Sequence, residues 1–302
     1  MDKTVLLLVG PTASGKTEVS LKLAQYFQTS IISADSRQCF IELNIGVAKP
    51  SLEELRSVPH FFINSHTIGQ NVNAGLFERL ALQWSTEIFN DHDLLVMVGG
   101  TGLYIKAFCE GLNKIPPVDE SIRSVIQLKY KENGLEWLQE EIRLKDPEFF
   151  SVGEMMNPQR IMRALEVVLS TDRSILSFRN EPIKSRPFRI IKFGLQLTRE
   201  ELYRNINFRT DKMIELGLLE EVKKLLPYAH LNALQSVGYS EIFSYLNAAI
   251  SFEKAVELIK KNTRNYAKRQ MTWFSRDKSI QWINPGEWDQ IKKIADTMNK
   301  AG

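Results

Sequence analysis

The chain opens on a short apolar run, Thr4–Val9 (TVLLLV), that stops at Gly10. Such a run bounded by glycine predicts a strand buried on both faces. Residues 17–27 switch to helical spacing, with Val19, Leu23 and Phe27 on one side. Residues 30–34 (SIISA) predict a second strand, closed by Asp35. Residues 94–98 (LLVMV) predict a third, closed by Gly99 and Gly100, with a helix over 103–108. Strands alternating with helices predict a parallel sheet covered by helices on both faces, a three-layer α/β fold.

The pattern changes after Ile115-Pro116-Pro117. Helical periodicity dominates at 120–133, 135–145 and 157–170, the last with Ile161, Leu165, Val168 and Leu169 apolar. Residues 188–197 (FRIIKFGLQL) return to a strand pattern, and 199–226 and 252–276 predict long amphipathic helices. The expected organisation is a sheet domain built from 1–114 and 187–302, interrupted by a mostly helical insertion at 115–186.

Composition adds limits. Of 302 residues, 43% are hydrophobic and 25% charged, as in ordinary globular chains. No apolar run approaches the ~20 residues of a membrane span, and the N-terminal one is too short for a signal sequence. Cys39 and Cys109 cannot make a disulfide framework, and His60, His66, His92 and His230 lack zinc spacing. A cytoplasmic protein without a membrane partner is expected. The net charge of +3 conceals an asymmetry: residues 1–157 carry 14 basic and 20 acidic residues, and the remainder carries 25 and 16. A basic half suits a polyanionic partner, although a solvated helical surface gives the same counts.

Candidate chemistry begins at Gly10, Pro11, Thr12, Ala13, Ser14, Gly15, Lys16 and Thr17, which match G-x-x-x-x-G-K-[ST] between a predicted strand and a predicted helix. Glycines let backbone N–H groups turn around an anion, and the helix N-terminus adds its dipole. Lys16 can reach an outer phosphate, and the Thr17 hydroxyl can ligate Mg²⁺. The fold expected is therefore of the P-loop NTPase type. A nucleoside triphosphatase also needs an acid at the end of a neighbouring strand, but 94–98 ends in Gly-Gly-Thr101-Gly. The strand-end acid is Asp35, which either caps a following helix or stands beside the phosphate loop at the sheet edge, where ligands of open α/β sheets bind. Thr101 has the same two readings.

Beyond the phosphate loop, the segments ADSRQ (34–38), NIGVAKP (44–50), VGGTGLYIKA (98–107), NPQRIMRALEV (157–167), RTDKMIELGLLEEV (209–222), QSVGYSEI (235–242) and TRNYAKRQMTWFSR (263–276) occur in order. With these the chain resembles the tRNA dimethylallyltransferases, nearly end to end. The resemblance implies transfer of a dimethylallyl group from dimethylallyl diphosphate to N6 of adenosine 37, beside the anticodon, in tRNAs reading codons that start with U. It implies a phosphate loop that holds a leaving diphosphate with Mg²⁺, and Asp35 as the base that takes the N6 proton. Thr101 is implied to contact the reacting groups and Arg209, at the start of an amphipathic helix, to close over the diphosphate. For tRNA it implies contacts from Asp35, Ser36, Arg37, Gln38 (able to read a base edge), Thr101, Arg123, Gln159, Arg160, Ile161, Met162 and Arg163, by a monomer. In the basic window 254–278, Tyr266, Trp273 and Phe274 are expected in the core and the cations toward RNA phosphate.

Two segments depart from the family pattern: Val47 stands where threonine is usual, and His60-Phe61-Phe62-Ile63-Asn64 replaces a His-His…Asp pattern. Three alternatives remain open on sequence: an adenylate isopentenyltransferase acting on free nucleotides, a phosphate-loop kinase, and a non-catalytic RNA-binding module.

Overall fold

A computed structural model describes residues 3–179 and 182–300. Six strands, β1 (Thr4–Val9), β2 (Ile31–Ala34), β3 (His60–Phe61), β4 (Leu94–Gly99), β5 (Arg189–Leu195) and β6 (Gln281–Ile283), form one sheet of order β3-β2-β4-β1-β5-β6. Every pairing in it is parallel. The first half of the chain supplies α1 (Lys16–Tyr26), α2 (Leu52–Ser57), α3 (Ala74–Asp91) and α4 (Gly102–Glu110) as connections.

β1 lies at the centre between β4 and β5, so all six of its side chains are buried. Successive strand residues face opposite sides. Leu6 and Leu8 pack with Val19, Leu23 and Ala24 of α1 and with Ile291 and Ala295 of α12 (Trp288–Lys300). Leu7 and Val9 face Ile105 and Cys109 of α4 and Phe274 of α11 (Phe252–Phe274). The sheet is thus covered on both faces, as the alternation predicts.

Backbone contacts divide the chain into two compact units, 1–110 with 185–302, and 111–184. The second unit is helical: α5 (Glu120–Lys145), α6 (Pro147–Val152) and α7 (Pro158–Thr171) enclose a core of Ile126, Leu138, Ile142, Phe149, Ile161 and Leu165. The patterns at 120–133 and 135–145 belong to one element broken at Gly134, whose φ is 73° and ψ −163°.

The pattern at 199–226 is not one helix. It is α8 (Arg199–Glu215) and α9 (Leu218–Leu225), separated at Gly217, where φ is +97°. That backbone turn resets the helical phase, so Leu216 lies 70% exposed while Leu218 is fully buried. α10 (Tyr239–Leu246) follows, and α11 runs back across the same unit.

Candidate active site

Strand register brings three loops to one edge of the sheet. Val9 of β1 and Ala34 of β2 both sit opposite Gly99 of β4, so Gly10, Asp35 and Gly100 leave the sheet at one level. Glycine at 99 is compulsory: a Cβ there would stand 2.3 Å from the Ala34 carbonyl oxygen. The Thr101 N–H then donates to that oxygen at 3.2 Å.

The phosphate loop wraps from Gly10 into α1, with φ of +64° at Ala13 and +84° at Gly15. Ser14 Oγ is buried inside it without a hydrogen-bond partner among the described residues. Lys16 Nζ donates to the Pro11 carbonyl at 2.6 Å, closing the loop over its own backbone. Burial, and secondarily the charge of Arg209, lower the Lys16 pKa to about 7, with Asp35 opposing the shift.

Arg209 is not at a helix start but within α8, and from there its Nη2 donates to Thr12 Oγ1. Burial lowers its pKa too, against the opposing pull of Asp35. Arg209, and Lys16 when protonated, therefore stand at the phosphate loop within the field of the Asp35 carboxylate, beside a helix N-terminus that favours an anion.

Asp35 does not cap a helix, since a turn follows β2 and the next helix, α2, begins only at Leu52. Its Oδ1 accepts from the N–H groups of Arg37 (2.8 Å) and Gln38 (3.2 Å), which fixes the carboxylate on the turn. Oδ2 makes no hydrogen bond among the described residues. The Thr101 hydroxyl likewise does not cap α4: it accepts from the Ser36 N–H at 3.1 Å. Thr12, Asp35, Ser36, Arg37 and Arg209 line a cavity of about 540 Å³, with Val47, Val237, Asn262, Tyr266 and Arg269 on its other sides.

Several expected roles need correction. Gln38 is not free to read a base edge, because its amide donates to the carbonyls of Val47 (3.3 Å) and Ala48 (3.1 Å) and accepts from Ser33. Ile161 and Met162 are only 0% and 5% exposed; their side chains fill the core of the helical unit instead of facing RNA. Tyr266 lines the cavity and Trp273 is 37% exposed, so of the three aromatics only Phe274 is core. Burial pushes the Tyr266 hydroxyl up to about 12, which keeps it a neutral donor.

In the helical unit, Gln159 and Arg160 are exposed, Arg160 pairing with Glu154. Arg123 and Arg163 meet on one buried carboxylate, Glu166, at 3.1 and 3.0 Å. One carboxylate between two guanidinium groups leaves a net positive charge and fixed donor directions. Along α11, Lys254 pairs with Glu257, Lys260 with Asp211, and Arg264 donates to Asn207, whereas Lys261, Lys268 and Arg269 are exposed.

Gln270 was not singled out by sequence. Its Oε1 accepts from the Thr12 N–H at 2.8 Å and its Nε2 donates to the Gly100 carbonyl at 2.9 Å. One buried amide thereby braces the phosphate loop against the loop that carries Thr101, one helical turn beyond Tyr266. The signal available was the i, i+4 spacing of Tyr266 and Gln270, which puts both on one face of α11. Gln270→Leu should strand the Thr12 N–H and the Gly100 carbonyl, lowering the midpoint of urea unfolding by the equivalent of about 1–3 kcal/mol.

The family described as IPP transferase matches residues 38–277. The chain belongs to the IPP transferase family. A tRNA dimethylallyltransferase of Bacteroides thetaiotaomicron is 45% identical over 296 residues, covering 98% of this chain and 96% of that one. The crystal structure of a full-length tRNA isopentenylpyrophosphate transferase from Bacillus halodurans superposes with a TM-score of 0.72 at 32% identity, covering 99% of this chain and 98% of that one. A eukaryotic dimethylallyltransferase caught acting on tRNA shares the fold, with a TM-score of 0.78 at 23% identity over 95% of this chain and 76% of its own. The family match begins at residue 38, and the likeness to the Bacteroides relative extends over nearly the whole chain.

Proposed function

We propose that this enzyme transfers a dimethylallyl group from dimethylallyl diphosphate to the exocyclic N6 of adenosine 37 in tRNAs that read codons starting with U. The observation that carries the reading is that Arg209 and Asp35 line one cavity with Thr12 of the phosphate loop, whose Lys16 lies within the field of both: cations suited to a leaving diphosphate, beside a carboxylate suited to an acceptor's proton.

In the reaction the C1–O bond to diphosphate breaks and a bond from N6 to C1 forms. The N6 proton passes to Asp35, and the products are N6-(dimethylallyl)adenosine and diphosphate. Adenine N6 is a weak nucleophile because its lone pair is delocalised into the ring, so removal of its proton during attack is where a base helps. The carboxylate is held by two backbone N–H groups on Oδ1, which leaves Oδ2 for the substrate. Lys16, Arg209 and the N-terminus of α1 neutralise charge as the diphosphate departs. Thr101 Oγ1 fixes the turn that presents Asp35 by accepting from the Ser36 N–H.

The residues fit Mg²⁺ as a partner of the diphosphate. Thr17, the second residue of α1 directly after the phosphate loop, carries the hydroxyl that would hold the ion. That oxygen donor suits a hard ion that keeps most of its water and phosphate ligands. When bound, the ion neutralises charge on the diphosphate.

A base within a stacked loop must be swung out before it can be alkylated, and the 540 Å³ cavity is roomy enough to receive one. The exposed cations of α11 and the Arg123–Glu166–Arg163 cluster supply donors for RNA phosphate. The reading includes a monomer acting in the cytoplasm; among the described residues no helix is long and apolar enough to cross a membrane.

The test supplies radiolabelled dimethylallyl diphosphate and Mg²⁺ with unmodified tRNA carrying an A36-A37-A38 loop, or with free AMP. Label should enter tRNA and be lost when A37 is changed to G. Label in AMP alone would make the protein an adenylate isopentenyltransferase. No transfer, with ATP hydrolysed instead, would make it a phosphate-loop kinase or ATPase.

A further inference from the structure

One wall of the cavity is a short loop, and its position is set from outside. Gly46 and Val47 line the cavity on a segment between β2 and α2 that has no regular secondary structure. Three successive N–H groups of this segment point at one carboxylate. Glu221 of α9 accepts from Asn44 N (3.2 Å) and Ile45 N (2.8 Å) on Oε2, and from Gly46 N (3.0 Å) on Oε1. The Tyr239 hydroxyl adds a fourth bond, 2.6 Å to Oε1.

The rest of the loop is held as fully. Gln38 donates to the carbonyls of Val47 and Ala48. Lys49 Nζ ties the Phe40 carbonyl, Asn44 Oδ1 and Asn64 Oδ1 together. Close packing adds to the bonding: a Cβ at Gly46 would stand 2.6 Å from the Tyr239 ring, so only glycine lets loop and ring meet. Burial, with the Glu221 carboxylate adding, raises the Tyr239 pKa, so its hydroxyl remains a proton donor to Glu221.

We propose that Glu221 is a positioning residue for the acceptor substrate: its carboxylate, seated on Tyr239, holds the 44–47 loop in place as the cavity wall that receives the RNA base. The inference rests on the tRNA-prenylating reading of this cavity and adds a residue to it. Glu221 does not line the cavity, so its influence passes through the 44–47 loop and through Tyr239, whose neighbours Gly238 and Ser240 also line it. Residues 44–47, Glu221 and Tyr239 thus serve as loop, clamp and seat.

Steady-state kinetics of the full chain separate the two substrates. Glu221→Ala should raise KM for tRNA roughly tenfold or more, the equivalent of losing at least one charge-assisted bond. It should leave KM for dimethylallyl diphosphate, and the affinity for inorganic diphosphate by calorimetry, within about twofold of the unaltered chain. Glu221→Gln, which keeps an acceptor oxygen for two N–H groups, should recover part of the loss. Tyr239→Phe removes only the seat's hydroxyl, and should shift the same constant in the same direction by a smaller factor, so the proposal is testable even if Glu221→Ala does not fold. An unchanged KM for tRNA in folded Glu221→Ala and Tyr239→Phe would overturn the positioning role alone. Equal losses in tRNA and diphosphate binding would overturn it in favour of a general structural role. Failure of the unaltered chain to label tRNA would overturn the functional reading itself.

Discussion

Replacing Asp35 by asparagine is expected to lower kcat by about 10²–10⁴, the range general-base help supplies, while tRNA still binds. Asparagine is the informative substitution because its side-chain oxygen can continue to accept from the Arg37 and Gln38 N–H groups that now bind Oδ1. The turn, and with it Ser36 and Thr101, should keep its place. Alanine removes those acceptors as well, so Asp35→Ala should lose comparable activity and also soften the 35–38 turn. Single-turnover rates at saturating substrates, with RNA affinity measured in parallel, separate base from scaffold. An Asp35→Asn enzyme within a few-fold of full rate would remove Asp35 from proton transfer.

Lys16 carries the second large expectation. Its pKa of about 7 in the ligand-free protein means that above neutrality the phosphate loop is short of one positive charge. A bound diphosphate restores that charge by attracting a proton, since an adjacent anion favours the ammonium form. The sign follows directly. At pH 6 Lys16 is already protonated and binding takes up little, whereas at pH 8 to 9 binding should take up close to one proton. Affinity for dimethylallyl diphosphate should therefore weaken as pH rises through 7, by up to roughly tenfold per unit. Calorimetry of diphosphate binding in buffers of different ionisation enthalpy reads the proton count. Lys16→Ala should abolish both uptake and pH slope, and should cost about 10²–10³ in kcat/KM, as loss of one preorganised donor does. Proton uptake that persists in Lys16→Ala would place the titrating group elsewhere.

Much of this arrangement was legible before any coordinates. The apolar runs that form β1, β2 and β4 are short, bounded by Gly or Asp, and too buried to alternate, so their pattern reads unambiguously. Gly10–Thr17 is legible because phosphate binding demands those residues in that spacing. What escaped belongs to long-range contact. β6 is three residues long and acquires its strand state only by pairing with β5. Gln38 reads as a base reader from its place beside Asp35 and Arg37, yet the loop at 47–48 takes its amide. Ile161 lies on the apolar face of α7 that the periodicity itself marks, whereas Met162 stands between polar residues, and it is the packing of α7 against α5 that shows its side chain to be core. Glu221 gives no local signal and Gln270 only its i, i+4 spacing from Tyr266, because the loops they hold lie 175 and 258 positions away.

Where the pattern of the family is altered, the structure gives the altered residues definite places. Asn64 accepts from Lys49 at 2.6 Å in the loop network, and burial lowers the Lys49 pKa to about 8. Val47 presents an aliphatic surface to the cavity beside Gly46. Neither touches the phosphate loop.

The central claim is that one cavity joins diphosphate departure to alkylation of a tRNA base, and the most direct measurement is product stoichiometry. The purified chain, Mg²⁺, dimethylallyl diphosphate and an unmodified tRNA with an A36-A37-A38 loop would be followed for released diphosphate and, after nuclease digestion, for the mass of nucleoside 37. The account predicts one diphosphate released per dimethylallyl group gained, all of it on A37. Diphosphate released without added mass on A37, or mass on A37 without diphosphate, would contradict it.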